Sequence, residues 1–177
     1  MVQGAYCTHG ETYLNDRDTI FWSKGGTLKG SSIERISFLK NIVTEFNAPI
    51  EPLEYGLGQY HGYTDDELRL KLSENGESTN PFLLTLLKLD RTKRDRWLET
   101  QYEWAGHCDD SVFIYYFYRQ CKGFADITLP ENKRYRIDVV DTWGMTRNTV
   151  LDDVSGKIRV MLPAKEYIAL VAVETIY

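Results

Sequence analysis

The sequence predicts an α+β chain in which an N-terminal strand and several helices precede a C-terminal antiparallel β-sandwich. Three observations carry that expectation. Apolar residues recur at helical spacings in the first two thirds of the chain, from Ser111 the spacing shortens to near two, and turn residues then fall at short intervals. The 177 residues, 42% of them hydrophobic, are enough to build a buried core. The expected division is a helical region over 1–109 and an all-β sandwich over 110–177.

The opening run from Val2 to Cys7 reads as a buried strand that ends in a polar cluster, Thr8 to Tyr13. A long loop with Gly25, Gly26 and Gly30 follows. Ser31-Ser32-Ile33-Glu34 has the form of a capping box, and Ile33, Ile36, Leu39, Ile42, Val43 and Phe46 repeat on one side until Pro49, which predicts a helix over 32–46. Glycines 56, 58 and 62 mark 49–63 as loop. Thr64-Asp65-Asp66-Glu67 is a second capping box, with Leu68 and Leu72 inside its helix and Gly76 as its stop. Asn80-Pro81 starts a further helix with Phe82, Leu83, Leu86 and Leu87 on its apolar face, and the pattern breaks near Asp90. The strands expected beyond are 112–118, 124–129, 134–141, a weak one at 147–151, 157–162 and 167–176. Pro130-Glu131-Asn132, Trp143-Gly144, Ser155-Gly156 and Pro163-Ala164 separate them. Tyr135, Ile137 and Val139 alternate with Arg134, Arg136 and Asp138, which predicts one buried and one wet face.

Composition excludes several classes of function. No apolar run approaches the roughly 20 residues that cross a bilayer. The net charge is -5 with 21 basic residues scattered among 26 acidic ones, so no basic patch awaits nucleic acid. The start, MVQGAYCTHGETY, has neither the basic head nor the apolar centre of a secretory signal. Three cysteines, Cys7, Cys108 and Cys121, are too few and odd for a disulfide framework, so the cytoplasm is the expected location.

The cluster His9-Gly10-Glu11-Thr12-Tyr13, Trp22 with Gly25-Gly26, and the string Asp141-Thr142-Trp143-Gly144-Met145-Thr146 resemble the C-terminal region of bacterial cellulase-like and apiosidase-like (β/α)8-barrel glycoside hydrolases. In that family a small β-sandwich follows the barrel. The resemblance implies that 1–48 is the last β/α unit of a barrel and 110–177 the appended sandwich, with 49–109 the part it covers least. It implies a portion of an enzyme acting on polysaccharide or oligosaccharide, with the sandwich as accessory domain and no cofactor. Such enzymes use two carboxylates flanking the scissile bond. The family carries them on earlier barrel strands that this sequence lacks, so the expectation is a truncated product, an excised domain or one piece of a split enzyme, with no turnover by this chain alone and no catalytic residue assigned.

The substrate-binding candidates are His9, Glu11, Tyr13 and Trp22. If the first strand runs on, His9, Glu11 and Tyr13 share one face, and an imidazole, a carboxylate and a phenol suit sugar hydroxyls; a solvated loop is the plain alternative. Trp22, beside Phe21, is either a stacking platform or a core anchor. Neither Cys7 with His9 nor His107-Cys108-Asp109-Asp110 has paired metal-ligand spacing, so no metal is expected. Phe113, Tyr115 and Phe117 fall on one strand face as core, and Tyr116 and Tyr118 on the other. Trp143 reads as a corner anchor, and Lys93, Arg94 and Arg96 as part of a solvated helix face. The alternative to a hydrolase portion is a non-catalytic carbohydrate-binding or protein-interaction module. The partners expected are a carbohydrate and, unless the orphaned first unit packs onto the sandwich, a second copy of the chain or an upstream barrel segment to cover it; nucleic acid and membrane are not expected.

Overall fold

A computed structural model describes residues 13–14, 20–21, 27–28, 32–74, 81–101 and 103–175. Short strands β1 (Tyr13–Leu14), β2 (Ile20–Phe21) and β3 (Thr27–Leu28) pair in the antiparallel order β2-β1-β3 within the stretch expected to be loop. The strand expected over Val2–Cys7 lies outside the described residues. Helix α1 (Ser32–Thr44) forms where the apolar spacing predicts it.

The centre of the molecule is a six-stranded antiparallel sheet in the order β4-β5-β6-β11-β8-β9. Its members are β4 (Glu51–Leu53), β5 (Trp104–Cys108), β6 (Val112–Tyr116), β8 (Tyr135–Asp141), β9 (Thr146–Val154) and β11 (Ile168–Glu174). Strands β7 (Phe124–Thr128) and β10 (Lys157–Met161) form a separate two-stranded ribbon. The ribbon covers one face of the sheet. Ala125, Ile127, Leu129, Val160 and Leu162 pack there on Phe113, Tyr115, Phe117, Tyr135, Ile137, Leu170 and Ala172. This is the sandwich predicted from the short period after Ser111. The sheet also takes in β4, from a segment read as loop, and β5, from a stretch where no strand is expected, because Pro52, Gly106 and His107 weaken the strand pattern in pieces only three and five residues long.

The opposite sheet face is covered by α1. Phe38, Ile42, Val43 and Phe46 meet Cys108, Val112, Ile114, Val140, Ala169 and Val171. That cover overturns the expectation of a wet face for β8. Asp138 is only 1% exposed, held by Arg136, Arg147 at 2.7 Å and the Thr149 hydroxyl at 2.7 Å. Burial alone would raise its carboxyl. The hydrogen bonds from Thr149 and Arg147 and the two guanidinium charges outweigh that and hold it below the ordinary carboxylate range. Arg147 also bonds Glu45 at 2.6 Å, which ties the end of α1 to the sheet.

Between β4 and β5 the chain makes a helical excursion. It comprises a 3₁₀ turn (Leu57–Tyr60), α2 (Asp65–Glu74), α3 (Pro81–Lys88) and α4 (Arg91–Leu98). Leu68, Leu72, Leu83, Leu86 and Leu98 form its own core. The Thr64 capping box is made as the sequence predicts: Thr64 N and Oγ1 both donate to Glu67 Oε2, at 2.7 and 2.8 Å, and Glu67 N donates back to Thr64 Oγ1 at 3.3 Å. The break near Asp90 is an N-cap, its carboxylate accepting from Thr92 N and Lys93 N. One reading is corrected. Arg94 is not on a solvated face but fully buried, one turn from Leu98, and it bonds Asp65 at 2.7 Å and the carbonyls of Tyr63 and Leu86.

Candidate functional site

Of the four substrate-binding candidates, His9, Glu11 and Trp22 lie outside the described residues. Tyr13 is in β1, where its backbone opposes Phe21 on one side and Leu28 on the other. The His107 to Asp110 set is structural. Cys108 packs under α1 with its thiol pushed up by burial, His107 Nδ1 lies 2.9 Å from the Asp109 carbonyl, and Asp109 turns the chain from β5 to β6 with φ 46°. Among the described residues no group of three or more His, Cys, Asp or Glu is gathered as a metal site.

The structure instead brings together aromatic side chains at one end of the six-stranded sheet. The register places Trp104 of β5 opposite Tyr116 of β6 and Tyr116 opposite Ala169 of β11, all on the side of α1. Trp104 and Tyr116 stack with centroids 6.0 Å apart, and Trp104 meets Tyr118 edge to face at 5.3 Å. Tyr118 meets Tyr167 at 6.0 Å, and Tyr167 stacks on Trp143 at 5.5 Å. Tyr116 and Tyr118 also meet, at 6.4 Å, so the row begins as a triad of Tyr116, Trp104 and Tyr118 and continues through Tyr167 to Trp143. Its two ends differ. Tyr116 is half-buried against the sheet and α1, whereas Trp143 is 59% exposed and Tyr118 38%. Trp143, read as a corner anchor, does stand at the β8-β9 corner, with its ring largely exposed.

The backbone at this end is built to hold those rings. The Asp141 carboxylate accepts from Trp143 N at 3.0 Å and Gly144 N at 2.6 Å, closing the turn between β8 and β9. A Cβ at 144 would stand 2.8 Å from Asp141 Oδ2 and push aside the carboxylate that closes the turn. Thr142 Oγ1 donates to the Tyr167 carbonyl at 2.7 Å, and Tyr167 N donates to the Tyr118 carbonyl. Tyr118 and Tyr167 both have left-handed backbones, φ 52° and 62°. For a bulky residue that conformation costs about 1–2 kcal/mol.

Charged groups border the row. The Arg35 guanidinium of α1 lies over the Trp143 ring at 3.9 Å, and its Nε reaches the Trp143 carbonyl at 3.4 Å. Arg119 sits 5.4 Å from the Tyr118 ring. A hydrogen bond with the Tyr167 side chain, with both phenols nearby, raises its guanidinium above the usual range. Lys165 lies 3.8 Å from Asp141, and the Glu166 carboxylate acts on Arg119. Burial pushes the Tyr116 phenol up, partly opposed by a hydrogen bond with Thr142. The sequence marks each of these aromatics as a neighbour of a turn or strand end. It does not mark that five strand ends meet, because that depends on the strand order.

Against known proteins, residues 101–172 match a domain of unknown function, DUF5605. The match takes in most of the sheet and leaves out the helical excursion. Among curated proteins none matches the chain. The fold is similar to the crystal structure of a putative glycoside hydrolase from Bacteroides vulgatus, with a TM-score of 0.59 and 21% sequence identity. That likeness covers 98% of this chain and 30% of the other, so the chain spans about a third of its neighbour's length. The β-sandwich with its preceding helix is thus a fold seen in a larger protein. No helix among the described residues is long and apolar enough to cross a membrane.

Proposed function

We propose that the chain is the C-terminal portion of a glycoside hydrolase acting on polysaccharide or oligosaccharide, in which the sandwich is an accessory domain that supports the catalytic part. The carrying observation is the fold likeness, which takes up almost all of this chain and under a third of a protein described as a glycoside hydrolase. The seating of α1 supports the accessory role. Its buried face packs on the sheet while Arg35 and Glu45 reach Trp143 and Arg147, so the sandwich holds the helix at both ends. Ile33 and Ile36 on the same helix are left exposed, which suits a helix with a further neighbour. The alternative of a second copy as that neighbour predicts a dimer by light scattering. Free thiols at Cys108 and Cys121 agree with the cytoplasm as the proposed location.

The test is the size of the native product, by immunoblot of source cells with an antibody to residues 110–177. The reading expects a band larger by about 200 residues or more, enough to complete a barrel of roughly 250. A single band at 20.6 kDa would overturn it.

A further inference from the structure

We propose that the aromatic row centred on Trp143, Tyr167 and Tyr118 binds a neutral polysaccharide chain. The choice of a glycan rests on the glycoside-hydrolase reading; the choice of this surface rests on its geometry.

Two of its rings are carried by left-handed residues whose backbones are hydrogen-bonded to each other. Glycine or asparagine would meet that geometry at lower cost, so the strain at these positions is offset by what the tyrosine side chains contribute. Those side chains do not fill the core. Tyr118 and Trp143 are exposed, and Tyr167 links them, meeting Tyr118 edge to face and stacking on Trp143. Exposed aromatic rings with phenols and guanidiniums at their border match a pyranose chain, which offers C–H faces to the rings and hydroxyls to the polar rim.

The charges select the class of glycan. Arg35, Arg119 and Lys165 are set against Asp141 and Glu166, so the surface carries both signs in near balance. A polyanion, whether nucleic acid or acidic polysaccharide, gains little there. A neutral polyhydroxylated chain finds donors and acceptors together. Arg35 covers one face of Trp143, and its hydrogen bond to the Trp143 carbonyl is at the long end of the range. A sugar ring takes that face when the guanidinium turns outward to the hydroxyls. The hollow of the helical excursion is lined by Leu57, Phe82, Leu86, Leu89 and Trp97, with Thr85 as the one hydroxyl among its described lining residues.

The experiment is affinity electrophoresis and calorimetry of the full chain with xylan, mannan, mixed-linkage glucan and cello-oligosaccharides. Polygalacturonate, heparin and a polyproline peptide serve as contrasting probes. The proposal expects saturable binding to at least one neutral glycan, weakened about tenfold by Trp143→Ala, as loss of one stacked ring implies, with the folded state retained by circular dichroism at the assay temperature. Tyr167→Phe, which keeps the ring, is expected to bind. The proposal is overturned if every neutral glycan fails, if Trp143→Ala binds like the parent chain, or if only a polyanion or the polyproline peptide binds. Failure of the hydrolase reading is separate: it is read from the native product's size, and glycan binding by this chain does not depend on that size.

Discussion

The sheet and the helical excursion solve the burial problem in opposite ways. The sheet is covered on both faces, by the β7-β10 ribbon and by α1, and its buried residues come from strands far apart in the chain. The excursion closes a small core of five leucines from neighbouring helices and admits a whole guanidinium beside it. The difference teaches that one unit depends on long-range pairing and the other on caps and one buried charge. Substitutions should therefore fail differently in the two.

The largest effect is expected in the sheet. Leu170 is fully buried in β11, a central strand, so Leu170→Ala should cost about 4 kcal/mol and lower the denaturation midpoint of sheet and α1 together. Separate transitions for α1 and the sheet would break the claim that they share a core. Next is Asp138→Asn, which removes the acceptor charge beneath Arg147 and should cost about 2 kcal/mol. The folded carboxyl is depressed, so its stabilisation is present above the unfolded value of about 3.9 and is lost as pH falls through the lower folded value. Acid titration of stability should show that loss in the parent chain and not in Asp138→Asn; parallel curves would contradict the assignment.

Within the excursion, Arg94→Met leaves the Tyr63 and Leu86 carbonyls without their donor and should cost about 2 kcal/mol. Asp65, already half-exposed, loses a partner but stays hydrated. Hydrogen exchange should rise over 57–98 and stay unchanged in β6 and β11. Faster exchange in the sheet would join the two regions into one unit. Smallest is Thr64→Ala, which removes one half of the capping box and should cost about 1 kcal/mol, seen as fraying of the first turn of α2 by the same measurement.

The same contrast governs what the sequence made legible. Capping chemistry is local, so the starts of α2 and α4 could be read from Thr64 with Glu67 and from Asp90. Period two and turn residues identified the strands beyond Ser111, including the core face of Phe113 and Tyr115. Burial that depends on a distant partner was not legible. Asp138 reads as wet until α1 is laid over β8, and Arg94 reads as solvated until Asp65 and two carbonyls close around it. The aromatic row is of that second kind, since Trp104, Tyr118, Trp143 and Tyr167 meet only through the strand order β5-β6-β11-β8. His9, Glu11 and Trp22, singled out by the resemblance, remain expectations of the sequence.

The central claim is that this chain supports hydrolysis without performing it. The direct measurement is release of nitrophenol from a panel of aryl glycosides by the 177-residue chain and by the native polypeptide captured with an antibody to residues 110–177. The account predicts release by the captured polypeptide and none by the chain. Turnover by the chain itself, abolished by Glu11→Gln, would contradict it.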